Sequence, residues 1–127
     1  MRLKNFSLPL GTQIFKAFSD EARVRILHLL YNAGELSISD LEFMLDFTQT
    51  KTSRHMTYLK NSGLLNARKK DQWVLYSIKE EVEDLVARIF EFLHKDHILQ
   101  KDLELHHTMK ANRELSVNKI ASKDYRS

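Results

Sequence analysis

The stretch from Thr48 to Leu65, TQTKTSRHMTYLKNSGLL, constrains the fold of this chain more than any other segment. At 100° per residue, one side of a helix would carry its packing positions, which are Thr52, Met56 and Leu59. The opposite side has hydrogen-bonding and basic side chains and no acidic residue: Thr50, Ser53, Arg54, Thr57 and Asn61. Such a helix suits a DNA major groove, where hydroxyl, amide and guanidinium groups contact base edges and phosphates. An ordinary solvated amphipathic helix is the alternative.

The residues before this helix predict a second, shorter helix. Ser37 to Leu45 opens with Ser37 and Asp40 at the spacing of a capping box. Three residues then separate the two helices, and the last of them, Thr48, suits the N-cap of the second. Two helices joined so closely indicate a helix-turn-helix, in which the second helix reads DNA.

The residues after the reading helix predict a β-hairpin. Gly63 suits the helix C-terminus, and Asn66 to Ile78 combines a polar, basic run with the strand-forming sequence WVLYSI. The hairpin tip is expected near Lys70 and Asp71. The expected fold class is therefore mainly α with a small β-hairpin wing, a winged helix-turn-helix.

Four segments, in order and suitably separated, carry a resemblance to a known family. They are IFKAFSDEARVRILHLL (Ile14 to Leu30), ELSISDLEFML (Glu35 to Leu45), the Thr48 to Leu65 stretch, and RKKDQWVLYSI (Arg68 to Ile78). Together they resemble the winged-helix repressors of the ArsR/SmtB family, over roughly Ile14 to Phe92. The resemblance implies a homodimer that binds operator DNA and releases it when a metal or another signal arrives. Asp46 and Asp71 stand where the family commonly has glycine, and aspartate tolerates the left-handed conformation needed there.

The segment from Glu80 to His107 is predicted to form one long helix with a broad apolar stripe. The stripe comprises Val82, Leu85, Val86, Ile89, Phe92, Leu93, Leu99 and Leu103. So much apolar surface on one helix needs a partner. In the resembled family the first and last helices form a two-fold interface, which would hold two reading helices about 34 to 36 Å apart over a pseudo-palindromic site.

The ends of the chain are predicted to lie outside the folded unit. Residues 1–10 are expected to form an N-terminal arm that ends at Pro9, and the first helix to run from Gly11 to Phe18. Asp20 is the expected N-cap of the second helix. Residues 11–107 would form the DNA-binding and dimerisation domain. Residues 108–127, with five basic and two acidic residues, would form a polar tail, frayed or disordered.

Charge is concentrated on the predicted DNA-binding surface. Residues 48–72 hold six basic residues and one acidic residue, whereas residues 35–46 hold four acids and no base. The predicted contacts to base edges and phosphates are Gln49, Thr50, Lys51, Ser53 and Arg54, and those of the wing to flanking phosphates are Arg68, Lys69 and Lys70. Arg23 and Arg25 could touch phosphates, but pairing with acids such as Glu21 is the more frequent arrangement on a helix behind the reader. His55, Trp73 and Tyr76 are expected to support and pack rather than to read bases.

Several function classes are disfavoured by what the sequence lacks. It has no cysteine, no Gly-rich phosphate loop and no cluster of acid and base residues, so neither an enzyme nor a cofactor is expected. No apolar run or signal peptide indicates a membrane, so a cytoplasmic protein is expected. The expected function is a DNA-binding transcriptional regulator, more specifically a repressor, and its expected partners are double-stranded DNA and a second copy of the chain. A winged-helix module for protein–protein interaction is the alternative.

The inducing signal stays open. The family's thiolate site has two cysteines where this chain has Ser37 and Ser39, and hydroxyls are poor ligands for soft metals. Glu81, Glu83, His94 and His97 reproduce the spacing of the family's zinc site on the last helix, but ungapped alignment from the wing places Val82 and Leu93 at its histidine positions. No metal site is therefore predicted. The alternatives are release through an unidentified small-molecule inducer, release through histidine protonation, and no release at all.

Overall fold

Six helices and a three-stranded sheet build the described part of the chain. The computed structural model describes residues 7–119. The helices and strands are α1 (Leu8–Ala17), α2 (Glu21–Ala33), β1 (Leu36–Ser37), α3 (Ile38–Leu45), α4 (Gln49–Asn61), β2 (Leu65–Lys70), β3 (Trp73–Ile78), α5 (Glu83–Leu93) and α6 (His97–Ala111). A short 3₁₀ turn, Glu80–Val82, precedes α5. The predicted class, mainly helical with a small hairpin wing, is confirmed.

The first helix begins earlier than predicted. Helix α1 starts at Leu8, because the Ser7 hydroxyl caps it by accepting a hydrogen bond from the Leu10 amide at 3.2 Å. Pro9 lies in the first turn, where a missing N–H costs nothing, so it belongs to the helix and does not end an arm. Residues 1–6 of the predicted arm lie outside the described residues. The prediction for the next helix is confirmed, since Asp20 Oδ1 accepts from the amides of Ala22 and Arg23.

The wing has the predicted form and one additional strand. Strands β2 and β3 pair antiparallel in a register that runs from Leu65 opposite Ile78 to Lys70 opposite Trp73. Asp71, in the turn between them, has a φ of 56°, as expected for a residue at a position that commonly holds glycine. Strand β1 pairs with the other side of β3, giving the order β1-β3-β2. Two residues are too few to show a strand periodicity in the sequence, which is why β1 was not predicted.

The prediction of one long helix from Glu80 to His107 is wrong. Helix α5 ends at Leu93, and Asp96 starts a new helix by accepting hydrogen bonds from the amides of Ile98 and Leu99. Helix α6 packs against α2 and α3 of the same chain. The predicted apolar stripe is therefore divided: Leu99 is buried within the chain, whereas Phe92 is 86% exposed.

The residues after position 107 also differ from the prediction. Helix α6 continues to Ala111, and Met109 and Leu115 are buried in the core. Residues 116–119 form a further helical turn. The sequence of this segment suggests a polar tail because its few apolar residues do not fall on one helical stripe, yet the turn at residues 112–115 redirects them inward. Residues 120–127 of the predicted tail lie outside the described residues.

The hydrophobic core lies between the helix-turn-helix, the sheet and α5. The largest of its fully buried side chains are Ile14, Ile26, Leu27, Leu29, Leu30, Leu36, Leu41, Met56, Leu59, Leu64 and Leu75. They come from the first four helices and from the sheet, so the reading helix is packed on the centre of the fold. Within residues 7–119, every helix is too short or too polar to cross a membrane.

Candidate nucleic-acid interface

The geometry of the helix-turn-helix follows from three capping side chains. Ser37 and Asp40 form the predicted capping box at the start of α3, and the Thr48 hydroxyl accepts from the Lys51 amide at 3.1 Å at the start of α4. Helix α3 ends at Asp46, which adopts the left-handed conformation with φ 56°. The turn therefore contains only Asp46, Phe47 and Thr48, as predicted, and α4 begins in a fixed direction.

Helix α4 has the two faces that its sequence indicates. Thr52, Met56 and Leu59 are buried, and the exposed positions of the opposite side include Gln49, Thr50, Arg54, Thr57 and Asn61. Lys51 and Ser53 are half-buried at the border between these faces. The predicted base-reading residues thus lie along one accessible side of one helix that contains no carboxylate.

His55 lies on the buried side of α4, which agrees with a supporting role. Its imidazole is almost completely buried, and this burial lowers the pKa of His55. The nearby cations of Arg54 and Lys51 lower the pKa further, whereas Asp20 at the start of α2 opposes them. A neutral imidazole next to the reading helix adds no positive charge to the DNA-facing side.

Phe47 in the turn links two cationic side chains. The Lys51 ammonium stands 4.0 Å from the centroid of the Phe47 ring, and the Arg25 guanidinium carbon stands 5.3 Å from it. Cation–π contact at this distance holds the first turn of α4 against the helix-turn-helix turn. Neither spacing nor composition in the sequence signals this contact, so it was not predicted.

Arg23 and Arg25 are used inside the protein. Arg23 donates to the carbonyl oxygens of Ala17 and Lys16 at 3.0 and 2.9 Å and stacks 4.2 Å over the ring of Tyr58 on α4. Arg25 makes a bidentate pair with Asp102 of α6, with both N···O distances 2.9 Å. Both arginines therefore position helices around the reader, and the acid that pairs with Arg25 lies 77 residues away in the sequence.

The wing presents its basic residues unequally. Lys69 is exposed on β2, whereas Lys70 is half-buried at the tip. Arg68 makes a bidentate pair with Glu35, with N···O distances of 2.6 and 3.0 Å, and the hydrogen bonds of this pair lower the pKa of Glu35. Both side chains keep access to solvent, so the pair is a surface contact of small net stability. Arg68 must therefore be shared between Glu35 and any phosphate that it contacts.

The four residues of the degenerate zinc pattern do not lie on one helix. Glu81 belongs to the 3₁₀ turn and Glu83 to α5, whereas His94 caps the end of α5 and His97 opens α6. The break between residues 93 and 97 removes the helical spacing on which the pattern rested. Within residues 7–119 of one chain, no three His, Cys, Asp or Glu side chains converge as metal ligands.

Comparison with known proteins identifies the family. The profile described as "Bacterial regulatory protein, arsR family" matches residues 20–67. The arsenical resistance operon repressor of Escherichia coli K12 is 41% identical over 87 residues, which are 68% of this chain and 73% of that protein. The chain belongs to the arsR family. The expected class of protein, a transcriptional regulator and not an enzyme, is the class of this family.

Other arsR-family relatives agree in fold. The transcriptional activator HlyU of Vibrio cholerae is 35% identical over 82 residues, covering 65% of this chain and 72% of that protein. The solved homodimeric winged helix-turn-helix DNA-binding domain of a possible ArsR-family regulator from Mycobacterium bovis superposes with a TM-score of 0.61 at 28% identity, covering 71% of this chain and 87% of that one. The winged helix-turn-helix fold of this arsR-family chain is thereby confirmed.

Proposed function

We propose that this chain is a cytoplasmic, homodimeric repressor that binds a pseudo-palindromic operator in double-stranded DNA. The observation that carries the proposal is the exposed side of α4, which is free of carboxylates and stands at the end of a rigid three-residue turn. Gln49, Thr50, Lys51, Ser53 and Arg54 contact base edges and phosphates, while Arg68, Lys69 and Lys70 hold flanking phosphates. The E. coli relative, named as a repressor, supports the direction of regulation.

Exposed apolar side chains support the homodimer. Leu8 and Phe15 on α1 are 82% and 68% exposed, and Phe92 on α5 is 86% exposed. These helices are the ones expected to meet at a two-fold axis, and large exposed apolar groups on them favour burial against a second copy. Helix α6, in contrast, buries Leu99 and Met109 against its own chain, so the dimer surface comes from α1 and α5.

Soft metals are not sensed at the start of α3 in this proposal. The Ser37 hydroxyl accepts from the Asp40 amide and lies 2.7 Å from the Ser116 hydroxyl, so it is engaged in a buried hydrogen-bond network. A hydroxyl is a poor ligand for arsenic or cadmium in any case. An unidentified small molecule is the inducer consistent with these residues.

Selection of bound duplexes from a random DNA pool, with and without zinc, tests the proposal. The purified protein should be a dimer by sedimentation, and it should enrich an inverted repeat whose half-sites lie about one helical turn apart. Loss of the repeat with zinc would restore Glu81, Glu83, His94 and His97 as a sensor formed between two subunits. A folded dimer that enriches no sequence would overturn the repressor proposal and leave the protein-interaction module in its place.

Replacing Arg54 with alanine should weaken binding to the selected operator by about 1 to 3 kcal/mol and relax the preference at one base pair. Arg54 is exposed on α4, where its guanidinium can donate two hydrogen bonds to one guanine. The matched variant Arg54→Lys keeps the charge but not the two-pronged geometry, so it should retain more affinity than Arg54→Ala while showing the same relaxed preference. Unchanged operator binding by folded Arg54→Ala would remove Arg54 from the reading surface.

Replacing Lys69 with alanine should weaken binding to all sequences alike. Removal of one cation from a DNA phosphate should reduce the slope of log affinity against log salt concentration by about 0.9, because fewer counterions are released on binding. Lys95→Ala is the control, since Lys95 is also exposed but lies in the connection between α5 and α6. A salt slope unchanged by Lys69→Ala would show that the wing does not contact phosphate there.

A further inference from the structure

A cavity of about 220 Å³ lies between α2, α5 and α6. Its walls include four ring side chains, His28 and Tyr31 from α2 and Phe90 and His94 from the end of α5. Ala87 and Leu103 complete its apolar part, and no Asp, Glu, Lys or Arg of the described residues lines it. The cavity is smaller than the pockets that bind drug-sized molecules, so its ligand has to be small.

His28 gives the cavity an unusual polar feature. The side chain is 1% exposed, and its Nδ1 atom has no hydrogen-bond partner within the described residues. Buried polar atoms are nearly always hydrogen-bonded in native proteins, so an unpartnered one calls for an explanation. The desolvation of the ring lowers the pKa of His28, which keeps the imidazole neutral. A neutral imidazole nitrogen can complete one hydrogen bond to a ligand.

The other polar groups around the cavity are already engaged. The Asn32 amide donates to the His28 carbonyl oxygen at 2.8 Å, and His94 Nδ1 lies 2.8 Å from the Phe90 carbonyl oxygen. Asp102, an acid near His28, is held by both prongs of Arg25. A charged ligand would therefore lack a counterion in this cavity, whereas an uncharged ring would contact aromatic walls and one unused nitrogen.

We propose that this cavity binds a small uncharged aromatic molecule that carries one hydrogen-bonding group, with His28 Nδ1 as its polar contact. The occupied cavity would fix the separation of α2, which carries Arg25 and Arg23 next to the reader, and α5, which carries the exposed Phe92 of the dimer surface. The ligand would thereby change how two reading helices are spaced. The binding site is independent of the proposed repressor function, and only its regulatory effect rests on it.

Titration of the full-length protein with indole and with phenol, followed by NMR of ¹⁵N-labelled histidine, tests the site without DNA. Saturable shifts of the His28 and His94 ring signals are expected with at least one of the two probes. Benzoate, which matches phenol in shape but carries a charge, should give no saturable shift. A lack of saturable shifts with both uncharged probes would overturn the proposal.

Three variants make the test specific. His28→Leu should weaken probe binding about tenfold through loss of its hydrogen bond, with His94 as the remaining reporter. Ala87→Leu should abolish binding by filling the cavity, which covers the case in which His28→Leu does not fold. His107→Leu changes an exposed histidine of α6 outside the cavity and should leave binding unchanged. Binding that survives both His28→Leu and Ala87→Leu would place the probe elsewhere and overturn the assignment.

The effect on DNA is measured separately with the selected duplex. A bound probe should change the affinity for DNA at least about fivefold, the lower range of ordinary coupling between two sites. Intact probe binding with unchanged DNA affinity would overturn the regulatory effect while keeping the site. Because NMR reports binding in the absence of DNA, a failure of the repressor proposal is distinguishable from a failure of this one.

Discussion

Replacing Arg25 with alanine should lower the free energy of unfolding by about 3 to 5 kcal/mol, a large part of the stability of a domain of this size. Asp102 is only 5% exposed and is held by both prongs of the Arg25 guanidinium. Removal of the guanidinium leaves a buried carboxylate without its counterion, which costs far more than a surface ion pair contributes. Urea unfolding followed by circular dichroism measures the change.

The double variant Arg25→Met, Asp102→Leu separates the loss of the pair from the penalty of an unpaired charge. It should recover most of the stability, because apolar side chains of similar volume replace buried ion pairs at little cost. Arg88→Ala, a substitution on α5 away from this pair, should change stability by less than about 0.5 kcal/mol. An Arg25→Ala protein as stable as the unsubstituted chain would show that α6 does not pack against α2 through this pair.

Replacing Asp40 with alanine should destabilise the protein by about 3 kcal/mol, the second large effect. The Asp40 carboxylate accepts from the amides of Ser37 and Ser116 at 3.0 and 3.1 Å and from the Ser116 hydroxyl at 3.2 Å. All three residues are buried, so its removal leaves three donors unsatisfied. Thermal unfolding gives the change in stability, and hydrogen exchange of the Ser116 amide shows whether the segment after α6 detaches.

Glu91→Ala is the matched control for Asp40, since Glu91 is an exposed acid on α5. It should leave both stability and exchange at Ser116 unchanged. Ser116→Ala removes one hydroxyl and keeps the amide contact, so it should cost about 1 kcal/mol. Protection of the Ser116 amide that persists in Asp40→Ala would contradict the contact between α3 and the C-terminal segment.

Local sequence patterns predicted the helix-turn-helix and the wing well, because their determinants are neighbours in the chain. The caps at Asp20, Ser37 and Thr48 each act within three residues, and the burial of Met56 and Leu59 follows from helical periodicity. Such signals need no knowledge of tertiary structure. The family resemblance added the order of these parts.

The predictions failed after residue 93, where the determinants are distant in sequence. Apolar residues at helical spacing lie on both sides of residues 94–96, so periodicity alone favoured one helix. Asp96 is an effective N-cap, but aspartate also occurs within helices, and only the packing of Leu99 and Leu115 on the core decides for a reversal. Tertiary contacts overrode the local pattern here.

The candidate DNA-binding surface was predictable in its residues but not in their partners. The exposed side of α4 could be derived from Thr50 and Arg54 at helical spacing. The pairing of Arg68 with Glu35 could not, because 33 residues and the unpredicted strand β1 separate them. The actual contacts of these side chains with DNA stay predictions for the binding experiments above.

The fold-back of α6 also has a consequence for the order in which the chain can be completed during synthesis. The partner of Arg25 lies 77 residues later in the sequence, and that of Ser37 lies 79 residues later. Contacts of such long sequence separation form late, and a ribosome releases the N-terminal part of a chain first. The helix-turn-helix and the wing therefore emerge with the acceptors and donors of two buried polar pairs still open to water. Only the last-made residues cover them, so a nascent chain becomes fully stable only after its final helix has left the ribosome.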